Sequence, residues 1–184
     1  MIIPSSELEQ KVPEIIQKIK EGAIFICPTD TIYGLSCDAT NEQAVQKIRS
    51  IKQRDTKPLS IWVPSKNWIT THCQTISTYI HKLPGPYTLI TTLNNPSSLA
   101  PSVLQGVTQV GVRIPQHPFH KIVEQLNTPL ITTSVNIQGQ PYAKNIHQLP
   151  SFILSHVDFI IEDGEKSNKP STIINTITGE ITER

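Results

Sequence analysis

The sequence lacks the motifs that identify most nucleotide-binding, hydrolytic and metal-dependent enzymes. Its 184 residues contain no Walker loop, no Gly-x-Gly-x-x-Gly, no nucleophile elbow and no His-Glu-x-x-His. The six histidines are scattered along the chain, and His117, directly before Pro118, has the position of a structural residue at the start of a helix. We therefore expect neither covalent catalysis by a protein nucleophile nor a dedicated metal cage.

Cysteine is scarce as well, and the positive and negative charges nearly balance. The three cysteines, Cys27, Cys37 and Cys73, are odd in number and match no metal-ligand spacing, which favours a reducing compartment over a disulfide framework. The net charge of +1 provides no overall basic field, so any surface for nucleic acid must be local.

Targeting signals are missing too. The first residues, Met1 to Ser5, lack the basic start and the long apolar core of a signal peptide, and no apolar run is long enough to cross a bilayer. We expect a soluble, cytoplasmic protein that contacts no membrane and folds as one domain over residues 1–184.

Apolar β-branched runs alternate with helical patterns along the chain. Strands are predicted at 23–27, 59–63, 87–93, 108–114, 129–133, 157–161 and 172–176, with a final extended piece near Ile181, and helices at 6–22, 41–52, 75–83, 117–127 and 145–156. Residues 64–74 fit neither pattern. The alternation indicates an α/β protein, and the short connections between strands in the second half favour a mixed sheet over a purely parallel one.

A polar stretch, Pro28 to Leu35, follows the first predicted strand. It places three hydroxyl groups and one carboxylate, from Thr29 to Tyr33, at the end of that strand and closes with a glycine. Ligands of α/β proteins bind at such strand ends. The same residue types also make ordinary turns, and for this stretch alone a turn is the better interpretation.

A cluster of cations follows the polar stretch. Five basic residues lie within eleven positions at the end of the predicted helix 41–52 and beyond it: Lys47, Arg49, Lys52, Arg54 and Lys57. Cations complement the dipole at a helix C-terminus, and for Lys47 and Arg49 a solvated helix end is the preferred interpretation. The remaining three exceed what a helix end requires and would suit a polyphosphate.

Together these residues resemble a known family. The Pro-Thr-Asp-Thr-Ile-Tyr-Gly-Leu stretch, the Lys-x-Arg at 52–54 and the Lys-Pro-Leu at 57–59 are similar to the YrdC/TsaC family of threonylcarbamoyl-AMP synthases. The resemblance continues, in the family's order, through 85–89, 110–115, 117–118, 134–136 with Gly139, and 170–174. It implies a twisted mixed β-sheet with flanking helices around an open cleft, in a single YrdC-like domain.

The resemblance also implies a reaction. Threonine and bicarbonate would give N-carboxythreonine, whose carboxylate attacks the α-phosphorus of ATP and releases pyrophosphate. Such a nucleotidyltransferase needs positioning and charge neutralisation and no protein nucleophile, and Mg2+ would be shared with the phosphates. The product, L-threonylcarbamoyladenylate, would pass to transferase proteins that modify tRNA to threonylcarbamoyladenosine beside the anticodon.

The resemblance assigns roles to individual residues. Catalysis and ATP binding fall to Lys52, Arg54, Ser134 and Asn136, further ATP contacts to Lys57 and Ser171, and threonine binding to Thr31, Tyr33, Arg113, Thr132 and Asp158. Lys52, at a helix end, is expected to be exposed enough for its replacement to change stability little. For Arg113 a buried structural arginine is the alternative, and for the Ser-x-Asn pair a turn or helix cap.

Three features depart from the family pattern. The segment from Lys52 to Lys57 is one residue shorter than usual, Val135 replaces the usual alanine, and Trp62 stands where many relatives have a smaller polar ring. Two other functions compete with the synthase. One is a module that binds structured or double-stranded RNA, including tRNA, through local basic residues. The other is a paralogue of the same fold without synthase activity, against which the retained Lys-x-Arg and Ser-x-Asn pairs argue.

Overall fold

The computed structural model describes residues 1–54, 56–74, 78–137 and 139–183, which form one mixed sheet with helices on both faces. The strands are β1 (Ile2–Pro4), β2 (Phe25–Cys27), β3 (Gly34–Asp38), β4 (Ile61–Trp62), β5 (Tyr87–Thr92), β6 (Gln109–Arg113), β7 (Leu130–Ser134), β8 (Phe159–Glu162), β9 (Thr172–Asn175) and β10 (Ile181–Thr182). The helices are α1 (Leu8–Lys20), α2 (Glu42–Lys52), α3 (Lys66–His72), α4 (Pro101–Leu104), α5 (His120–Leu126) and α6 (Ser151–Leu154).

Parallel and antiparallel pairs share this sheet. Its order is β1-β8-β2-β3-β7-β4-β6-β5-β9-β10. The parallel pairs are β1 with β8, β8 with β2, β4 with β6, and β5 with β9. The other neighbours run antiparallel. The predicted α/β class with a mixed sheet is therefore confirmed.

One face of the sheet is covered by helices over its central strands. Because side chains alternate along a strand, Ile26, Leu35 and Ile131 point to the same side. They join one continuous apolar core with the inner residues of α2, including Val45 and Ile48, which are completely buried. Helix α2 begins at Asn41, whose side chain accepts a hydrogen bond from the backbone of Ala44, a regular N-cap.

The opposite face is only half covered. Phe25, Trp62 and Leu130 lie on it and pack with α1 and α5 in a second apolar core. Stacked rings strengthen this core, since Phe25 and Phe159 lie 4.8 Å apart between centroids with an interplanar angle of 4°. Along the same face, the strands continue past the two helices and carry small and polar residues. That uncovered part of the sheet is the floor of an open cleft, as expected.

Two strands were not predicted. The polar stretch was expected to be a turn, but Gly34–Asp38 forms β3, paired with β2 and β7. Ser36 is completely buried within it, 3.4 Å from the sulfur of Cys27. Both missed strands give a weak sequence signal, because β3 follows directly on turn residues and β1 has only three residues and pairs with the distant β8.

The remaining helix predictions were met in part. Residues 64–74, which fitted neither pattern, contain α3, with Ser65 capping the backbone of Trp68. The predicted helix 145–156 is divided at Pro150 into a 3-10 turn, Ile146–Gln148, and α6. Of the predicted helix 75–83, the described part contains a 3-10 turn at Ile80–Lys82, and residues 75–77 lie outside the described residues. No described helix is long and apolar enough to span a membrane.

Candidate active site

The uncovered part of the sheet carries a cavity of about 410 Å³. Seven residues with a role predicted from the sequence line it: Tyr33, Arg54, Lys57, Arg113, Thr132, Ser134 and Ser171. They come from the loop before β3, the loop after α2, the ends of β6 and β7, and the residue before β9. The fold therefore gathers most of the predicted site in one place.

Small residues make the floor of the cavity. A Cβ atom on Gly34 would lie 2.5 Å from Oγ1 of Thr132, and a Cβ atom on Gly111 would lie 2.8 Å from Cγ2 of Thr88 and 2.9 Å from Oγ of Ser60. Real Cβ atoms do not approach so closely, so these two positions admit only glycine without a shift of their neighbours. The consequence is a depression in the sheet with hydroxyl groups along its floor.

Arg113 is held at one end of the floor by the polar stretch. Its Nη2 atom donates to Oδ1 of Asp30 at 2.9 Å and to Oγ1 of Thr31 at 3.2 Å. The second carboxylate oxygen of Asp30 accepts from the backbone N–H of Gln116 at 3.0 Å, and its carbonyl oxygen accepts from Asn168. The guanidinium is therefore fixed in orientation, and both its side chain and that of Asp30 are about one-tenth exposed or less.

Hydroxyl groups organise the polar stretch from within. Oγ1 of Thr29 donates to the carbonyl oxygen of Ile32 at 2.8 Å and accepts from the backbone N–H of Thr31 at 3.1 Å. The two threonine hydroxyls lie 2.9 Å apart. This local network turns the chain sharply between β2 and β3, and it places Thr31 against Arg113.

Tyr33 attaches the polar stretch to the segment that precedes β9. Its hydroxyl donates to the carbonyl oxygen of Gly164 at 2.7 Å and accepts from the backbone N–H of Asp163 at 2.9 Å. Burial raises the pKa of the Tyr33 phenol, with the nearby Asp163 and Glu162 carboxylates adding to the effect. Farther along, Ser171 lies 2.8 Å from Oγ1 of Thr88, so this segment forms a wall of the cavity.

Lys52 lies in the interior, contrary to the expectation of an exposed helix end. It is 2% exposed, and its Nζ donates to the carbonyl oxygens of Ser134, at 2.5 Å, and Asn136, at 2.9 Å. The Asn136 side-chain oxygen accepts from it as well, at 2.9 Å. Burial, together with the charge of Arg54, lowers the pKa of Lys52 to about 8. Its three N–H groups are thus all engaged with the loop after β7.

The Ser-x-Asn pair is a compact turn around that lysine. Oγ of Ser134 donates to Oδ1 of Asn136 at 2.6 Å, while Nδ2 of Asn136 donates to the carbonyl oxygen of Gln140 at 2.5 Å. Ser134 lines the cavity, whereas Asn136 lies behind it. The two lone pairs of the Asn136 side-chain oxygen are occupied by Ser134 and Lys52.

Arg54 and Lys57 line the end of the cavity opposite Arg113. Trp62 pairs with Arg113 at the ends of the parallel strands β4 and β6, whereas Pro58 comes before β4 begins, four residues before Trp62. Four residues of extended chain, at 3.3 Å per residue, span about 13 Å. Nη2 of Arg54 donates to the carbonyl oxygen of Pro58 at 2.9 Å, which orients its guanidinium at that end.

Residues 17–183 match the family model Sua5/YciO/YrdC, described as "Telomere recombination". The chain belongs to the Sua5/YciO/YrdC family. A protein of Methanocaldococcus jannaschii is 40% identical over 178 residues, which cover 92% of this chain and 83% of that protein. A Pseudoalteromonas atlantica protein named "Threonylcarbamoyl-AMP synthase" is 32% identical over 173 residues, covering 86% and 89%.

A solved structure of the Sua5/YciO/YrdC family has the same fold as this chain. P. abyssi Sua5, crystallised with L-threonine, superposes with a TM-score of 0.83 at 27% identity. The alignment covers 95% of this chain and 53% of the Sua5 chain, so this chain spans about half the length of that relative.

One residue that was predicted to bind threonine, Asp158, does not line the cavity. Asp158 precedes β8, and its Oδ2 atom accepts from the backbone N–H of Ile24 at 2.8 Å, before β2 begins. The cavity lies beyond the other end of β2, which ends at Cys27, and Thr29 in the following turn is one of its lining residues. The prediction that Asp158 contacts threonine is therefore wrong for this arrangement, and its carboxylate stabilises the strand start.

Trp62 does not line the cavity either. It is completely buried between Phe119 and His120, and its Nε1–H donates to Nδ1 of His120 at 3.0 Å. The larger ring therefore belongs to the second apolar core. His117 has the structural position expected of it, with Nδ1 accepting from the backbone of Phe119 and Nε2 lying 3.1 Å from Asp163.

Sequence reasoning missed two residues around the site. Asp30 was noted as the carboxylate of the polar stretch but given no role, although it holds Arg113. Arg49 was interpreted as a solvated helix end, which is wrong, because it is 6% exposed and bonded to the loop that carries Arg54 and Lys57. Lys47, by contrast, is exposed as expected. A buried Arg and an exposed Lys at the end of one helix give the same sequence signal.

The chemistry of the site is electrostatic. Among the described residues, no group of three or more His, Cys, Asp or Glu side chains could hold a metal ion. The three cysteines are buried, and burial raises the pKa of Cys27 and of Cys73 to about 12, which makes both poor nucleophiles. Buried hydroxyls and oriented cations remain, and these bind anions and stabilise developing negative charge.

Proposed function

We propose that this chain is a threonylcarbamoyl-AMP synthase, a nucleotidyltransferase that makes L-threonylcarbamoyladenylate and pyrophosphate from L-threonine, bicarbonate or CO2, and ATP. The observation that carries the proposal is one cavity with an oriented guanidinium, Arg113, at one end and two further cations, Arg54 and Lys57, at the other. An amino acid and a triphosphate need such separate anion sites. The name of the P. atlantica relative and the L-threonine complex of P. abyssi Sua5 support the same assignment.

Arg113 would bind the threonine carboxylate. A guanidinium can donate to a second planar anion while it keeps its bond to Asp30, because its five N–H groups point in different directions. Oγ1 of Thr31 lies beside it, and Thr132, 4% exposed, lines the adjoining floor. These buried hydroxyls would orient the amino acid so that its nitrogen, carboxylated by bicarbonate, faces the other end of the cavity.

The reaction would proceed by displacement at the α-phosphorus of ATP. An oxygen of the N-carboxylate forms a bond to phosphorus, the bond between that phosphorus and the bridging oxygen breaks, and pyrophosphate leaves with the electron pair. The substrate supplies the nucleophile, which agrees with a site built from cations and hydroxyls. Arg54, Lys57, Ser134 and Ser171 would hold the triphosphate and neutralise the charge of the leaving group.

Lys52 and Asn136 would act from behind the cavity wall. The Lys52 ammonium holds the turn that presents Ser134, and its charge lies next to the predicted phosphate site. ATP would enter as its Mg2+ complex. The Asn136 side-chain oxygen is already saturated by two donors, so the phosphates and the hydroxyl of Ser134 are the better oxygen ligands for that ion.

The proposal also includes the use of the product and the location of the protein. The product would serve the threonylcarbamoyladenosine modification of tRNA through downstream transferase proteins, in the cytoplasm. Direct contact with tRNA or double-stranded RNA stays a prediction, as does the alternative of an inactive paralogue.

The deciding experiment supplies ATP, labelled bicarbonate and threonine, alone and in combination, and follows pyrophosphate together with labelled threonylcarbamoyladenylate. We expect pyrophosphate only when threonine and bicarbonate are both present. Equal release from ATP alone would indicate hydrolysis and contradict the proposal. Absence of turnover together with RNA binding that depends steeply on salt would favour the RNA module.

A further inference from the structure

A buried arginine, Arg49, contacts the predicted phosphate-binding loop from inside the protein. It lies one turn before the end of α2 and is 6% exposed. Burying a guanidinium is costly unless its donors are satisfied. Its described hydrogen bonds are donated to backbone carbonyl oxygens.

Two of these hydrogen bonds attach Arg49 to a second helix. Nε of Arg49 donates to the carbonyl oxygen of Ser102 at 2.5 Å, and Nη2 donates to that of Val103 at 3.3 Å. Both acceptors lie in α4. The first turn of α2 is fixed to the same helix, since the Glu42 carboxylate accepts from the backbone and the hydroxyl of Ser102. Helix α4 is thus a rigid support for both ends of α2.

Further hydrogen bonds of Arg49 hold the loop that carries Arg54 and Lys57. Nη1 donates to the carbonyl oxygen of Arg54 at 3.0 Å, and both Nη atoms donate to that of Lys57 at 3.2 Å. The backbone N–H of Arg54 donates in turn to the carbonyl oxygen of Arg49 at 3.1 Å. Both backbone polar groups of Arg54 are therefore bonded to Arg49. The two residues fixed in this way are the cations that line the cavity together with Arg113.

We infer that Arg49 is a positioning residue for nucleotide binding, which sets the backbone of the loop so that the Arg54 and Lys57 side chains meet the triphosphate. This inference rests on the proposed function, because it takes those two side chains as phosphate ligands. Arg49 itself does not line the cavity and touches no substrate. Its planar fork bridges two acceptors three residues apart in the sequence, a geometry that a lysine cannot reproduce.

The test compares Arg49→Met and Arg49→Lys with Lys47→Gln, which removes an exposed cation from the same helix. Three properties are measured for each variant: tryptic cleavage after Arg54 under native conditions with and without MgATP, the KM values for ATP and threonine, and the melting temperature. If Arg49→Met does not fold, Arg49→Lys, which keeps the charge but loses the fork, decides the question.

We expect cleavage after Arg54 to accelerate about tenfold, the change that follows from losing one hydrogen bond of a charged donor. The KM for ATP should rise about tenfold or more, because a misplaced binding group is costly, while the KM for threonine changes less than about twofold. Lys47→Gln should leave all three properties unchanged. A lower melting temperature with unchanged cleavage and KM values would show a purely structural arginine and overturn the inference.

Two further outcomes are informative. Faster cleavage with an unchanged KM for ATP would also overturn the inference, since the loop would then not position the nucleotide. If the wild-type protein makes no threonylcarbamoyladenylate, the proposed synthase fails, but cleavage still reports on the loop. MgATP should then protect the bond after Arg54 in the wild type and protect it less in the variants. No protection in the wild type would overturn the inference independently of activity.

Discussion

The Lys52 ammonium lies 2.5 Å from the carbonyl oxygen of Ser134, in the interior of the protein and at the back of the candidate active site. The contact joins the end of α2 to the turn after β7. It thus connects the two motifs, Lys-x-Arg and Ser-x-Asn, that lie 82 residues apart in the sequence. A charge in this position supports the turn and adds to the positive potential at the predicted triphosphate site.

Removal of the Lys52 ammonium should impair both stability and activity. Lys52→Met would leave the carbonyl oxygens of Ser134 and Asn136 buried without their donor, at a cost of about 1–3 kcal/mol in the free energy of unfolding. The rate of pyrophosphate formation should fall about a hundredfold, as for other charge-stabilising donors. Urea unfolding and steady-state kinetics measure the two effects. An unchanged unfolding midpoint would contradict the buried contacts.

The protonation of Lys52 should give stability and activity opposite pH dependences. Its pKa is about 8 in the folded protein, below the ordinary 10.5. Between these values the unfolded chain binds more protons, so the contribution of Lys52 to the free energy of unfolding rises with pH from about 8 to 10.5. In the folded protein the charge needed for ATP is lost around pH 8, so kcat/KM for ATP should fall above pH 8. Lys52→Met should show neither dependence, and identical profiles for both proteins would contradict the assignment.

Periodicity predicted most strands correctly because their apolar runs are long and bounded by turn residues. It could not show that Lys52 and Arg49 are buried. Both lie at the end of an amphipathic helix, where a cation is normally solvated, and the acceptors that bury them come from 82 and 53 residues away. The family resemblance named Arg113 but not its partner Asp30, because an aspartate in a turn has an ordinary local explanation.

The position of Asp158 was mispredicted for a related reason. A carboxylate beside a strand can face either end of a sheet, and only the parallel pairing of β8 with β2 shows that this one lies before β2 begins. The strand β3 escaped prediction because its residues form a turn-like sequence whose pairing partners, β2 and β7, determine its conformation. Local sequence patterns cannot supply such long-range partners.

Arg113 and Asp30 should act as a unit in threonine binding. Arg113→Ala should raise the KM for threonine with a much smaller effect on the KM for ATP, because a carboxylate clamp contributes to ground-state binding. Asp30→Asn keeps the shape but removes the charge that orients the guanidinium, and should raise the same KM by about tenfold. A double-mutant cycle measures the coupling. A lower melting temperature with an unchanged threonine KM would identify Arg113 as a structural arginine.

Arg54 should affect the other substrate. Arg54→Ala should raise the KM for ATP and lower kcat, with little change in the KM for threonine, because its side chain lies at the end of the cavity opposite Arg113. Lys47→Ala, which removes an exposed cation from α2 shortly before Arg54, is the matched control and should change neither value. Titration with double-stranded RNA at two salt concentrations provides the contrast. Full turnover with a salt slope reduced by about one would assign Arg54 to an RNA surface instead.

Gly111 should be required for the depth of the cavity floor. In Gly111→Ala the new Cβ atom would lie 2.8 Å from Cγ2 of Thr88 and 2.9 Å from Oγ of Ser60, so the strands must shift or the side chains must leave their positions. Overpacking of this kind costs about 1–3 kcal/mol in the free energy of unfolding. Because Thr88 also contacts Ser171, the movement should raise the KM for ATP.

Thr88→Ser removes Cγ2 and keeps the hydroxyl, so Gly111→Ala/Thr88→Ser should recover part of both losses. Urea unfolding and the KM for ATP measure the recovery, and a double variant no better than Gly111→Ala would show that the close approach to Thr88 does not limit this position.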